Sequence, residues 1–144
     1  MDSKPTVADM MAAYAQDAVD HAQVSAGIAL DFSQASIERV EGILEQLHSS
    51  LPRGILAKLF GRGPSRQDIE TMAKMYGGYV GEVWRRTAGG EWSFDTETVP
   101  GHQNICFTKA DQRVWPVAKV YKRITAGSED NVWMYSRVLL QGWQ

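Results

Sequence analysis

The chain has 144 residues, 44% of them hydrophobic and 22% charged, with a net charge of −2 and a pI near 5.9. That length and apolar content suffice for one domain, residues 1–144, with its own core, which excludes a disordered chain and a miniprotein dependent on disulfides or a metal. No apolar run approaches the roughly 20 residues needed to span a bilayer, no basic-then-apolar leader opens the chain, and the single cysteine, Cys106, lacks an intrachain partner, so the expected home is cytoplasmic.

Residues 1–5 read as a frayed start, with Pro5 compatible with the beginning of a helix. From Thr6 onward Val7, Met10, Met11, Tyr14, Ala18, Val19 and Ala22 recur at helical period, and Gly27 is the stop. His21 stands in this helix beside Asp17, Asp20 and Gln23; with no second histidine or cysteine at ligand spacing, it reads as a solvated or pairing residue. A second helix has Ser33 as its cap and Phe32 at the offset for a hydrophobic staple onto Ile37. Ile37, Val40, Ile43, Leu44 and Leu47 form its core stripe, while Glu38, Glu41, Glu45 and Gln46 are expected to face outward. Two acidic helices in succession predict an antiparallel pair. Leu51 to Pro64, punctuated by Gly54, Gly61 and Gly63, reads as a long loop or short helix; its GRGPSR segment lacks the lysine and hydroxyl that end a phosphate-binding loop.

The organising element is the next helix. Ser65 and Asp68 make a capping box, and Ile69, Met72, Met75, Tyr76, Tyr79, Val80, Val83 and Trp84 mark a broad apolar face. Gly77, Gly78 and Gly81 each cost about 1 kcal/mol relative to alanine in a helix. Ala73, Gly77 and Gly81 lie four residues apart, so they form a stripe on which a second backbone or a flat ring can lie closely. Close packing is one reading of that stripe; an anion pocket made by Gly77, Gly81, Arg85 and Trp92 is the other. Arg85 and Arg86 suit the C-terminal dipole, and Gly89-Gly90 ends the helix before an alternating strand at Trp92 and Phe94.

A polar loop from Asp95 to Gln103 precedes a strand over Asn104–Thr108, a turn at Ala110-Asp111-Gln112, and a third strand around Val114-Trp115. Pro116 opens a helix carrying Val117, Val120, Tyr121 and Ile124 and closed by Gly127; Ser128-Glu129-Asp130 then caps a last helix too apolar to lie wholly exposed. The expected architecture is α+β: antiparallel N-terminal helices and a glycine-rich central helix packed on a small antiparallel sheet of about three strands, followed by C-terminal helices.

No catalytic residue, cofactor or metal site is assigned. His21, His48 and His102 fall in different elements, and nothing in the spacing requires a dyad of His102 with Glu97 or Asp95. Cys106 reads as a small buried hydrophobe. Arg85, Arg86, Lys119, Lys122 and Arg123 beside Trp92, Trp115 and Tyr121 give a weak nucleic-acid footprint, against which the acidic pI weighs. Charge is uneven: residues 1–51 hold eight acidic and two basic side chains, and residues 52–144 nine and thirteen. Either the halves neutralise each other or an acidic face awaits a basic partner.

Five tryptophans beside charged groups favour a protein partner, with homo-oligomerisation an open alternative. The candidate contact surfaces are Glu82, Arg85, Arg86, Trp92, Lys119 and Lys122, and the acidic set Asp17, Asp20, Glu38, Glu41 and Glu45. The runs YGGYVGEVWRRTAGGEW (Tyr76–Trp92) and WPVAKVYKRITAGSEDNVWMYSRVLL (Trp115–Leu140) resemble a widespread family of small bacterial cytosolic proteins built on a domain of unknown function. Such proteins are similar to the immunity partners encoded beside bacterial toxins. The resemblance implies a non-catalytic binding module whose acidic face meets a basic toxin; a small-molecule- or nucleotide-binding protein, or an enzyme, using the glycine stripe is the alternative.

Overall fold

The computed structural model describes residues 5–51, 64–95 and 104–144. Residues 1–4 of the frayed start, residues 52–63 of the long connection and the His102–Glu97 dyad lie outside the described residues. The described fold is α+β: three helices, a three-stranded antiparallel sheet, then two helices.

Helix α1 (Val7–Ala26) begins at Thr6, whose hydroxyl accepts from the Asp9 amide while the Asp9 carboxylate accepts from the Thr6 amide, a capping box that leaves no first-turn ambiguity. It ends at Gly27, whose φ of 65° is the left-handed conformation that only glycine adopts without strain. Helix α2 (Ser36–Ser50) is entered through a turn in which Ser33 Oγ accepts from the Ser36 amide and Asp31 in turn holds Ser33. Phe32, at φ 62°, turns its ring onto Tyr79, 4.8 Å between centroids.

Helix α3 (Arg66–Ala88) has the expected Ser65–Asp68 capping box. Every residue from Met75 to Trp84 is buried, so over this stretch the helix is enclosed on all sides rather than amphipathic, while its two ends are exposed. The glycines explain how. A Cβ on Gly78 would lie 3.0 Å from the Met11 carbonyl oxygen of α1, and one on Gly81 would lie 2.2 Å from the Trp92 ring. At Gly77 it would lie 2.7 Å from the Val117 Cα of the helix that follows the sheet. Three neighbours therefore reach the α3 backbone through three missing side chains.

The sheet comprises β1 (Glu91–Phe94), β2 (Ile105–Lys109) and β3 (Gln112–Val114) in the order β1-β2-β3, all antiparallel. Its register aligns Trp92, Phe107 and Val114 across the three strands, a buried row that faces Trp84. The third strand stops at Val114; Trp115 instead stands at the head of helix α4 (Pro116–Ala126), with Pro116 in the first turn where its missing N–H costs nothing. A 3₁₀ turn, Ser128–Asp130, leads to helix α5 (Val132–Trp143). The residue that caps α5 is Asn131, whose side-chain oxygen accepts from the Met134 amide, rather than Ser128, Glu129 or Asp130.

Packing separates the two acidic helices. α1 lies along α3, whereas α2 packs on α4 and α5, so each finds its main contact away from the other. No described helix is long and apolar enough to cross a membrane.

Candidate functional site

Of the sequence-predicted surface around the arginine pair, Glu82 and Trp92 are buried while Arg85 and Arg86 are exposed. Glu82 is 2% exposed: its carboxylate accepts from Trp92 Nε1 at 2.9 Å and takes a bidentate contact from Arg85 at 2.8 and 3.0 Å. Burial alone would raise its pKa, but these hydrogen bonds and the Arg85 and Arg86 charges outweigh it and hold the carboxyl below its ordinary value. Glu82 and Trp92 thus join α3 to β1 and are not offered to a partner. Arg85 is tied to Glu82, and Arg86 lies with its guanidinium 3.7 Å from the centre of the Phe32 ring, pinning the α1–α2 connection.

The glycine stripe is no pocket. Gly77 is filled by α4 and Gly81 by Trp92, so the ligand site expected from Gly77, Gly81, Arg85 and Trp92 is replaced by packing.

The acidic set divides. Asp17, Asp20 and Glu38 are exposed. Glu41 and Glu45 both receive Arg123 from α4, its Nε donating to Glu41 at 2.7 Å and its Nη2 to Glu45; Glu41, expected to face outward, is thereby only 12% exposed, whereas Glu45 still faces outward at 49%. The other Glu41 oxygen accepts from the Val132 amide at 2.8 Å, so one carboxylate ties α2 to both C-terminal helices. Arg123 is 1% exposed. Burial works against its charge, yet Glu45 and Glu41 together raise its pKa.

The remaining predicted residues, Lys119 and Lys122, do meet at one place, the cleft between α4 and α5. One cavity, about 340 Å³, is lined by Trp115, Ala118, Lys119, Tyr121, Lys122, Asp130 and Tyr135. A neighbouring one, about 660 Å³, shares Lys119 and Tyr135 and extends along α5 past Met134, Val138 and Gly142 to Gln112 of β3. Together they form an open groove. Lys119 is held in its wall by Asp130 at 3.4 Å and by the Tyr135 face at 4.8 Å. Burial pushes the Tyr135 phenol up. Met134 and Val138, one helical turn apart, are 62% and 72% exposed. Trp115 Nε1 is buried with no hydrogen-bond acceptor among the described residues.

Sequence reading missed Met134, Tyr135 and Val138 as site residues. A signal was present: α5 carries apolar residues around more of its circumference than one contact can cover, and only Val132, Leu139 and Leu140 of them are fully used in the core.

Elsewhere among the described residues the histidines and the cysteine are engaged structurally. His21 Nδ1 pairs with the Tyr76 hydroxyl at 2.7 Å, His48 Nδ1 with the Ile124 carbonyl at 2.8 Å, and buried Cys106 with Ser93 Oγ at 3.2 Å. Among the described residues, no group of three or more His, Cys, Asp or Glu side chains is arranged to hold a metal ion. No family model, curated protein or solved structure matches the chain.

Proposed function

We propose that the chain is a non-catalytic protein-binding module of a bacterial cytosol, with a toxin-neutralising immunity protein as its specific form, and that its partner docks in the α4–α5 groove. The observation that carries this reading is the exposure of Met134 and Val138 beside a groove walled by Tyr135, Leu139 and Lys119. Large aliphatic side chains one turn apart next to half-buried aromatics are what a partner helix or strand covers, and such anchors supply most of the energy of an interface. The lysine stems flanking them add apolar contact while keeping their charges at the rim.

The test is capture of co-eluting proteins and small molecules from host lysate by the tagged chain, compared with a Met134→Asp/Val138→Asp variant. Both positions are exposed, so the variant keeps the fold. A stoichiometric protein partner that is lost from the variant supports the reading, and its identity as a toxin would support the immunity role. A partner that the variant retains puts the interface elsewhere, with Asp17, Asp20 and Glu38 the next residues to reverse. A chain carrying only a metabolite overturns protein binding altogether.

A further inference from the structure

Resting on the groove reading above, we infer that the partner enters as an extended strand: it pairs antiparallel with the free edge of β3 at Arg113 and sends the side chains on either side of the paired residue into the groove beside Met134 and Val138. The register decides which backbone groups are free. Lys109 pairs with Gln112 across the two-residue turn Ala110-Asp111, and such a turn closes only on a pair that exchanges both of its N–H···O=C bonds. Phe107 and Val114, two positions on, repeat that pattern, so the N–H and C=O of Arg113 between them point away from β2. In the order β1-β2-β3 that direction is the edge of the sheet, and Gln112 and Arg113 are both exposed there. Among the described residues neither of these Arg113 groups has a backbone partner. Unpaired groups on an accessible edge are a template for another strand.

The groove opens at the same edge. Its larger cavity takes Gln112 from the sheet, and no residue of β1 or β2, together with Met134, Val138 and Gly142 of α5. Trp143 Nε1 donates to Gln112 Oε1 at 3.0 Å, which fixes the end of α5 against the edge strand, and at Gly142 nothing lies within 4 Å of a would-be Cβ. Side chains alternate along a strand, so a residue paired with Arg113 points to the outer face and its two neighbours point to the face of Gln112, the groove side. β3 is three residues long, so the backbone contributes one pair of hydrogen bonds and sets the register, while aliphatic contact with α5 supplies most of the binding. A helix in the groove would satisfy its own backbone and leave the Arg113 groups to water. A second copy pairing edge to edge about Arg113 would set two arginines directly opposite, a like-charge pair that destabilises.

The probe is the peptide acetyl-Glu-Val-Thr-Val-Lys-amide, whose central threonine pairs with Arg113 and whose valines enter the groove. Two isomers each carry one N-methyl group. On the central threonine it removes the donor to the Arg113 carbonyl; on the second valine it replaces an N–H that points away from β3. In ¹⁵N spectra of the wild-type chain, the Arg113 amide is expected to move downfield saturably with the parent peptide. The methylated threonine should weaken binding by about fivefold or more, and the methylated valine by no more than about twofold. This comparison needs no variant to fold. Arg113→Pro, tolerated where an edge N–H faces solvent, should weaken the parent peptide as the methylated threonine does, whereas Arg113→Ala, which keeps the N–H, should not. Equal binding of the two isomers, movement confined to α5 resonances, or no response overturns the inference. So does an Arg113 amide that moves with protein concentration alone, which would give the edge to a second copy.

Capture from lysate separates this inference from the groove reading. A partner that is lost with Met134→Asp/Val138→Asp but kept by Arg113→Pro would retain the groove and remove the strand. A partner kept by all of these variants would remove the groove itself, and the strand inference with it.

Discussion

At the scale of single residues, the glycines of the helices have opposite meanings that only their surroundings reveal. Gly81 faces the Trp92 ring, and a methyl group there would stand 2.2 Å from a ring carbon that Glu82 holds in place through Nε1. Gly81→Ala is therefore expected to destabilise by about 2 kcal/mol or more, as overpacking does, despite the better helix propensity of alanine. Gly42 sits mid-helix in α2 with nothing within 4 Å of its would-be Cβ, so Gly42→Ala should stabilise by about 0.5–1 kcal/mol. Urea denaturation of both variants checks the pair; two changes of the same sign would disprove the packing account. Glu82 makes a second prediction at this scale. Its folded pKa is depressed, so its contribution is present above the ordinary glutamate range and lost as pH falls through the folded value. Glu82→Gln should cost about 1–2 kcal/mol at pH 7, limited by the solvent exposure of Arg85, and the gap from the wild type should narrow at pH 3. A gap independent of pH would show that the side chain acts through shape alone.

At the scale of elements, what was legible in the sequence is what is decided within a few residues. The Ser65–Asp68 box, the Gly27 stop and the Pro116 start are contacts between near neighbours, and each stands where the residue pattern puts it. What the pattern could not give is the identity of the element lying opposite. Glu41 and Glu45 sit on the polar side of a helical wheel, but Arg123, some 80 positions later, turns that side into a second contact face. Gly77 and Gly81 were readable as a close-approach stripe, yet whether a ring, a backbone or a ligand fills it is a long-range fact. The groove was hidden for the same reason, since it is formed by what α4 and α5 leave uncovered. The Arg123 contact can be tested directly. Arg123→Leu strands Glu41, which is 12% exposed and still needed at the Val132 amide, so stability should fall by roughly 3 kcal/mol. Adding Glu41→Gln should recover part of that loss, because the neutral side chain can still accept from Val132; additive losses would mean that the two residues are not coupled.

At the scale of the whole molecule, the uneven charge of the chain is partly resolved inside the fold, where Arg123 of the basic half meets Glu41 and Glu45 of the acidic half. The core also contains phenols that must remain neutral. Burial pushes Tyr76 up to about 12, and it raises Tyr79 and Tyr135 as well. The sign follows from linkage. The unfolded chain loses these protons near pH 10, whereas the folded chain still holds them, so the stabilisation is complete below about pH 10 and declines as pH rises toward the folded values. Each phenol adds a slope of up to about 1.4 kcal/mol per pH unit between its two pKa values, and three acting together make the alkaline limb steep. Denaturant titrations at pH 7, 9, 10.5 and 11.5 should show a plateau followed by that fall. Tyr76→Phe should lower the plateau, because His21 loses its 2.7 Å partner, and yet flatten the decline above pH 10. The two effects act in opposite directions on the difference from wild type, so the curves should converge as pH rises. Parallel curves would mean that another group, not the buried Tyr76 phenol, limits the fold in alkali.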